Sequence, residues 1–295
     1  MAITAKDVKA LREKTGAGMM DCKKALGETN GDIEAAVDFL RTKGLAKAAK
    51  KAGRVAAEGV VVSLVDGGNG VVLEVNCETD FVSKGDDFQG FAKKMAEWTL
   101  ANKPGSIEEL KEAKNDESTE LTMKVGEKID IRRFAAVSST GLLGSYNHGG
   151  KIGVVVDLDT DKADSVEVQE LAKDIAMHVA AASPTFLSGD DIDEEFKKRE
   201  AAVYAAQLRE EGKPENMIDK IILGKLGKLA KDVCLLEQSF VKNPDLSIKK
   251  LIAEVAGKVG GNITVKSFHK LNLGEGIEKK EDNLADEVAK MTGGQ

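Results

Sequence analysis

Val75-Asn76-Cys77-Glu78-Thr79-Asp80-Phe81-Val82-Ser83-Lys84 decides how the chain is read. It opens as the end of an apolar run, residues 71–75, that reads as a buried strand. It closes before an amphipathic helix carrying Phe88, Phe91, Ala92 and Met95 at helical spacing. Between them a polar turn sets Asp80 beside Phe81. A carboxylate competes for a cation or repels a phosphate, and a phenyl ring wedges into an apolar pocket. A strand-to-helix corner lets both face outward. The same residues admit a plain structural reading. Asp80 is then a turn or capping residue, Asp86 and Gln89 form a capping box on the next helix, and Phe81 is a core ring.

Working outward, the middle of the chain repeats itself. The first copy has a strand at residues 59–62, a turn at Asp66-Gly67-Gly68-Asn69-Gly70 and the strand at 71–75. The helix around Phe91 follows, then a helical stretch over 107–125 and a strand over 129–134. The second copy opens Gly141-Leu142-Leu143-Gly144-Ser145-Tyr146 and turns at Asn147-His148-Gly149-Gly150. A strand follows at 152–156, then a helix around Leu171 with His178 in the place of Trp98. Its closing helix and strand are 248–259 and 263–268. Each copy reads as hairpin, helix, helix, strand: a three-stranded antiparallel sheet with helices on one face, an α+β arrangement. The central helices are offset by 80 positions and the closing strands by 134, so an insertion of 134 − 80 = 54 residues lies in the second copy. It contains a charged helix from about Asp190 to Glu211, a turn at Gly212-Lys213-Pro214, and a helix striped by Met217, Ile218, Ile221, Ile222 and Leu226.

Ahead of the repeat, Thr4 and Asp7 predict a capped helix with Val8 and Leu11 on its apolar face. Thr15-Gly16-Ala17-Gly18 breaks it, and a second helix starts near Met19. Asn30-Gly31 ends that one, Asp32 caps a third, and Gly44 is expected at its C′ position. Adjacent helical residues point about 100° apart, so one of Met19 and Met20 is expected to be exposed. The Lys/Ala-rich residues 43–54 read as a helical or flexible linker, with RNA contact as the rival reading.

Composition narrows the function. Of 295 residues, 42% are hydrophobic and 32% charged, enough apolar content for a sizeable core. The net charge of −7 disfavours a general nucleic-acid binder. No apolar run reaches the roughly 20 residues of a membrane span, and the N-terminus lacks a signal pattern, so a cytoplasmic protein is expected. Cys22, Cys77 and Cys234, like His148, His178 and His269, are scattered without metal-ligand spacing. The segment 144–151 loosely resembles a phosphate loop, but Gly150 stands where Lys is required and a strand follows, so nucleotide binding is rejected. No nucleophile or zinc motif is present, and an enzyme with its own catalytic centre is not expected.

Thr79-Asp80-Phe81-Val82, after Leu73-Glu74-Val75-Asn76-Cys77, resembles the signature of the elongation factor Ts family, guanine-nucleotide exchange factors for elongation factor Tu. The run from Thr15 through Met19-Met20-Asp21-Cys22 to Leu26 is similar to that family too. So are Gly144-Ser145-Tyr146-Asn147-His148 before Ile152-Gly153-Val154, and Gly274-Glu275-Gly276-Ile277-Glu278-Lys279. The resemblance implies a ubiquitin-associated-like three-helix bundle with linker (1–54), a core subdomain (55–140) and a second one (141–273). The second carries a coiled-coil hairpin at about 187–232, and a C-terminal helical module (274–295) with Leu284, Val288 and Met291 follows. It implies Arg12, Met19, Met20 and His148 as contacts on Tu, and Thr79, Asp80, Phe81 and Val82 as the element that dislocates the partner's Mg²⁺. It further implies no cofactor, no resident metal, no direct nucleic-acid binding, and self-association through the hairpin in some members. The rival reading is a pure interaction module without exchange activity.

Overall fold

The computed structural model describes residues 3–278. The predicted C-terminal helix with Leu284, Val288 and Met291, and the closing residues 292–295, lie outside the described residues. The described chain divides into two units: 3–62, 73–134 and 272–278 form one, and 63–72 with 135–271 form the other.

The first unit begins with three helices, α1 (Ala5–Thr15), α2 (Met19–Glu28) and α3 (Ile33–Lys51). Thr4 and Asp7 form the expected capping box, and Asp32 accepts the Ala35 N–H at the start of α3. Val8, Leu11, Cys22, Ala25, Leu26, Ala36 and Leu40 make the small core. Gly44 is not at a C′ position. It sits inside α3, which runs on to Lys51, and a Cβ there would collide with the thioether of Met123. The Ala/Lys-rich sequence has high helix propensity, and α3 packs against α7 (Asn115–Val125) where glycine permits close approach. Lys51 donates to the Gly126 carbonyl, and Arg41 pairs with Asp116. The linker is thus a docked helix to Lys51.

Strands β1 (Glu58–Asp66), β2 (Asn69–Cys77) and β3 (Asp130–Ser138) form a three-stranded sheet in that order. A short α4 (Asp80–Ser83) and a long α5 (Asp86–Asn102) follow β2. The stretch predicted as one helix over 107–125 is two, α6 (Ile107–Ala113) and α7, which meet at Lys114. The proposed capping box at the start of α5 is absent: Gly85 is its N-cap, and Gln89 donates to the Ser83 carbonyl at 2.5 Å instead.

The second unit repeats this pattern with β4 (Leu142–His148), β5 (Ile152–Thr160), α8 (Val166–Ala182), α11 (Ile248–Val259) and β8 (Ile263–Asn272). The sheet order is β4-β5-β8, and β4 pairs antiparallel with β5 from Leu142↔Leu158 to His148↔Ile152. Val154, Val156 and Leu158 of β5 meet Leu171, Ile175 and Val179 of α8, with Ile252, Val255, Ile263 and Val265 completing the core. The central strands β2 and β5 are buried along most of their length. This is why both read as continuous apolar runs rather than alternation.

The insertion is an antiparallel helical pair, α9 (Glu194–Glu210) and α10 (Glu215–Val233). A short ribbon of β6 (Ser239–Phe240) and β7 (Asn243–Ser247), which the periodicity does not predict, follows it. His178 of α8 is fully buried. Val241 N–H donates to its Nδ1 at 3.3 Å, which leaves Nε2 to donate to Gln238 Oε1 at 3.0 Å.

Candidate functional site

The strand-to-helix corner is built by side chains that do not themselves face out. β2 ends on buried Cys77, whose thiol donates to the Thr79 carbonyl at 3.1 Å. Burial, with the charge of Glu127, pushes that thiol up to about 12, so it stays a protonated donor. Thr79 is extended (φ −125°, ψ 156°) and is the N-cap of α4, its hydroxyl accepting the Val82 N–H at 3.4 Å. Ser83 faces inward and donates to the Asp80 carbonyl at 3.0 Å. One turn of helix is therefore pinned at both ends.

This pinned turn displays its middle. Phe81 is 85% exposed and is not the core ring of the plain structural reading. An exposed phenyl on a single, well-capped turn is unusual for a side chain that could bury 150–250 Å². Asp80 is half-exposed and pairs with Lys84 at 2.6 Å, one turn away. That hydrogen bond holds the carboxyl below the usual carboxylate range, so Asp80 is charged at neutral pH. Val82 is half-buried.

A second exposed surface lies on the bundle. Both Met19 (60%) and Met20 (74%) are exposed, more than the spacing requires. Cys22, Ala25 and Leu26 already fill the inward face of α2, so its first turn overhangs the core. The turn is locked from behind: Lys43 and Lys47 reach Asp21 at 2.6 and 2.7 Å and hold its carboxyl low. Two lysines that could have met RNA are thereby occupied. Met19 and Met20 line an open groove of about 560 Å³ with Ile3, Val8, Arg12 and Lys23, a thioether-lined surface with a basic rim.

His148 belongs to the second unit. It is exposed at the tip of the β4–β5 hairpin, where Gly149 (φ 56°) and Gly150 (φ 71°) turn the chain. Lys151 N–H donates to the His148 carbonyl at 3.0 Å. The Tyr146 hydroxyl lies 3.2 Å from His148 Nδ1, and the two rings stack 6.1 Å apart. The turn expected at 147–150 is present, and half-buried Tyr146, packed against the core of the unit, backs the exposed His148.

Two features escaped the sequence reading. Glu127 contacts the backbone of the corner from 48 residues away, and no local pattern could have linked them. Lys84 lies within the motif, but its pairing with Asp80 needs a helical turn that four residues alone do not announce. Among the described residues, no group of His, Cys, Asp and Glu is placed to hold a metal ion. Among them, no helix is long and apolar enough to cross a membrane.

Comparison with known proteins decides the family. The model of the family described as Elongation factor TS matches residues 78–275. The chain belongs to the elongation factor Ts family. It is 52% identical over 302 aligned positions to Elongation factor Ts of Clostridium perfringens (strain SM101 / Type A), covering 99% of each chain. It is 50% identical to Elongation factor Ts of Clostridioides difficile (strain 630), covering 98% of each, and 49% identical to that of Trichlorobacter lovleyi, covering 99% of each. Membership carries a role in translation elongation, and the matched region begins at the corner itself.

Proposed function

We propose that the chain binds the GDP form of elongation factor Tu and promotes GDP release, so that GTP can bind. The observation that carries this reading is Phe81, an exposed ring on a pinned turn beside a charged carboxylate. Tight binding of a nucleoside diphosphate depends on Mg²⁺ bridging phosphate oxygens and on backbone donors of a phosphate loop. An exchange factor need not touch the nucleotide. It binds the nucleotide-free state of its partner better than the GDP state, and linkage lowers GDP affinity by the same factor.

In this reading Phe81 enters an apolar gap between elements of the partner. Thr79 and Val82 shape the turn, and Asp80 disturbs the groups that hold Mg²⁺. Arg12, Met19 and Met20 add binding energy through the bundle groove, and His148 adds a contact from its own unit. The chain acts by binding and performs no chemical step, and it works in the cytoplasm. The exposed Val203, Met217 and Leu223 of the α9–α10 pair support self-association there; sedimentation that shows only monomers at high concentration removes that part.

The test of exchange is the release rate of a fluorescent GDP from elongation factor Tu in Mg²⁺, with and without this chain. A large acceleration that Asp80→Ala or Phe81→Ala reduces is the expected result. No acceleration by well-folded chain leaves the interaction-module reading.

A further inference from the structure

Glu127 lies between α7 and β3 and stands behind the exposed corner. Its Oε2 accepts the backbone N–H of Glu78 at 3.0 Å and of Thr79 at 2.9 Å, and its Oε1 accepts the Thr79 hydroxyl at 2.6 Å. The grip is reciprocal. Glu78 Oε1 accepts the Lys128 N–H at 2.6 Å, Arg54 donates to both Glu78 oxygens at 3.3 and 3.2 Å, and Lys128 Nζ donates to the Arg54 carbonyl at 3.0 Å. Charge-assisted bonds of this kind are roughly twice as strong as neutral ones.

The consequence for the corner is directional. With its proton committed to Glu127, the Thr79 hydroxyl is left as an acceptor, and it is as an acceptor that it caps the Val82 N–H. The cap begins the single turn that carries Asp80 and Phe81. Phe81 is too exposed for packing to fix its ring, so its placement is inherited from the backbone. A one-turn helix has little stability of its own, and the restraint comes from the clasp.

We propose that Glu127 is a positioning residue for nucleotide exchange, acting through Thr79 to hold Phe81 in its displayed orientation. This rests on the reading of the corner as the exchange element.

The test uses the full chain and two readouts: stimulated release of fluorescent GDP from elongation factor Tu, and amide hydrogen exchange at Glu78, Thr79 and Val82. Glu127→Ala is expected to strip protection from those three amides and to lower stimulation by up to about a hundredfold, as small misplacements can. Glu127→Gln keeps the volume and one accepting oxygen, so it gives intermediate values and guards against a folding defect. In a Phe81→Ala background, Glu127→Ala should remove little more, because both act through one ring. The proposal is overturned if Phe81→Ala impairs release while Glu127→Ala leaves release or the three amides unchanged, or if the two losses add in full. If Phe81→Ala itself leaves release unchanged, the ring does not drive exchange and the positioning role falls with it, whatever the amides show.

Discussion

Lys103 and Ser183 close helices α5 and α8 in the same left-handed conformation, φ 49° and 51°, at positions 80 apart. Both helices have 17 residues, and in both the cap N–H bonds the carbonyl four residues back, at Thr99 and Val179. The duplication thus preserves a strained cap with two different side chains. Glycine relieves a left-handed cap that costs an L-residue roughly 1–2 kcal/mol, against about 0.5–1 kcal/mol of added chain freedom. Lys103→Gly is therefore expected to raise stability by a few tenths to about 1 kcal/mol in urea denaturation. Ser183→Gly should gain less, because it forfeits the hydroxyl that Lys270 reaches.

Glu74 is buried on β2 among four donors: Gly274 N–H at 2.7 Å, Arg133 Nε at 2.6 Å, Asn76 Nδ2 at 3.1 Å and Arg132 Nη1 at 3.0 Å. Burial alone would raise its carboxyl, but these bonds together outweigh it and hold it below the usual range. Its folded value being lowered, its stabilisation is present above the ordinary carboxylate value and is lost as pH falls through the folded one. Glu74→Ala leaves Arg132 without its anion and Arg133 with only Glu275, and should cost about 3 kcal/mol. The same change should speed hydrogen exchange at the Gly274 amide, since Arg132 and Arg133 also hold the Glu275 and Asn272 carbonyls.

The second unit should be acid-sensitive near the ordinary histidine range. Burial lowers His178, and the Gln238 bond only partly offsets it; burial likewise lowers His269 against the pull of Asp157. Below about pH 6.5 the unfolded chain takes up protons that these folded imidazoles refuse, so stability falls as pH drops through that window and is recovered above it. His178→Gln should flatten the dependence of the denaturation midpoint on pH between about 7 and 5. An unchanged slope would place the sensitivity elsewhere.

At the corner, Lys84→Ala should raise the titration midpoint of Asp80, read from its side-chain carbonyl resonance, while leaving the melting temperature unchanged. An exposed pair one helical turn apart adds little to stability. A large loss of melting temperature would show that Lys84 supports the fold rather than the charge state of Asp80.

Much of this was legible in the sequence because it is local or periodic. Thr4 with Asp7, Asp32, the Gly67-Gly68 turn and the two-glycine turn after His148 are set by nearest-neighbour chemistry. The offset of 80 between Phe91 and Leu171 exposes the duplication without any knowledge of contacts. Gly44 misled because a glycine in a helix interior is indistinguishable, by sequence, from one that ends a helix; only Met123, packed against it from α7, tells them apart. Ring exposure at Phe81 and the grip of Glu127 on Thr79 depend on tertiary proximity, which a spacing of 48 residues conceals. The short β6–β7 ribbon was missed because two residues at Ser239–Phe240 carry no period.

The central claim is that the displayed Phe81 favours the nucleotide-free state of the partner. Its most direct test is the affinity of this chain for elongation factor Tu with GDP bound and with the nucleotide removed, for the natural chain and for Phe81→Ala. Linkage makes the ratio of the two constants equal to the factor by which the chain weakens GDP binding. The expected result is a ratio of at least about tenfold for the natural chain, within the usual range of coupling, that falls towards one in Phe81→Ala. Equal affinity of the natural chain for the two states would contradict the account.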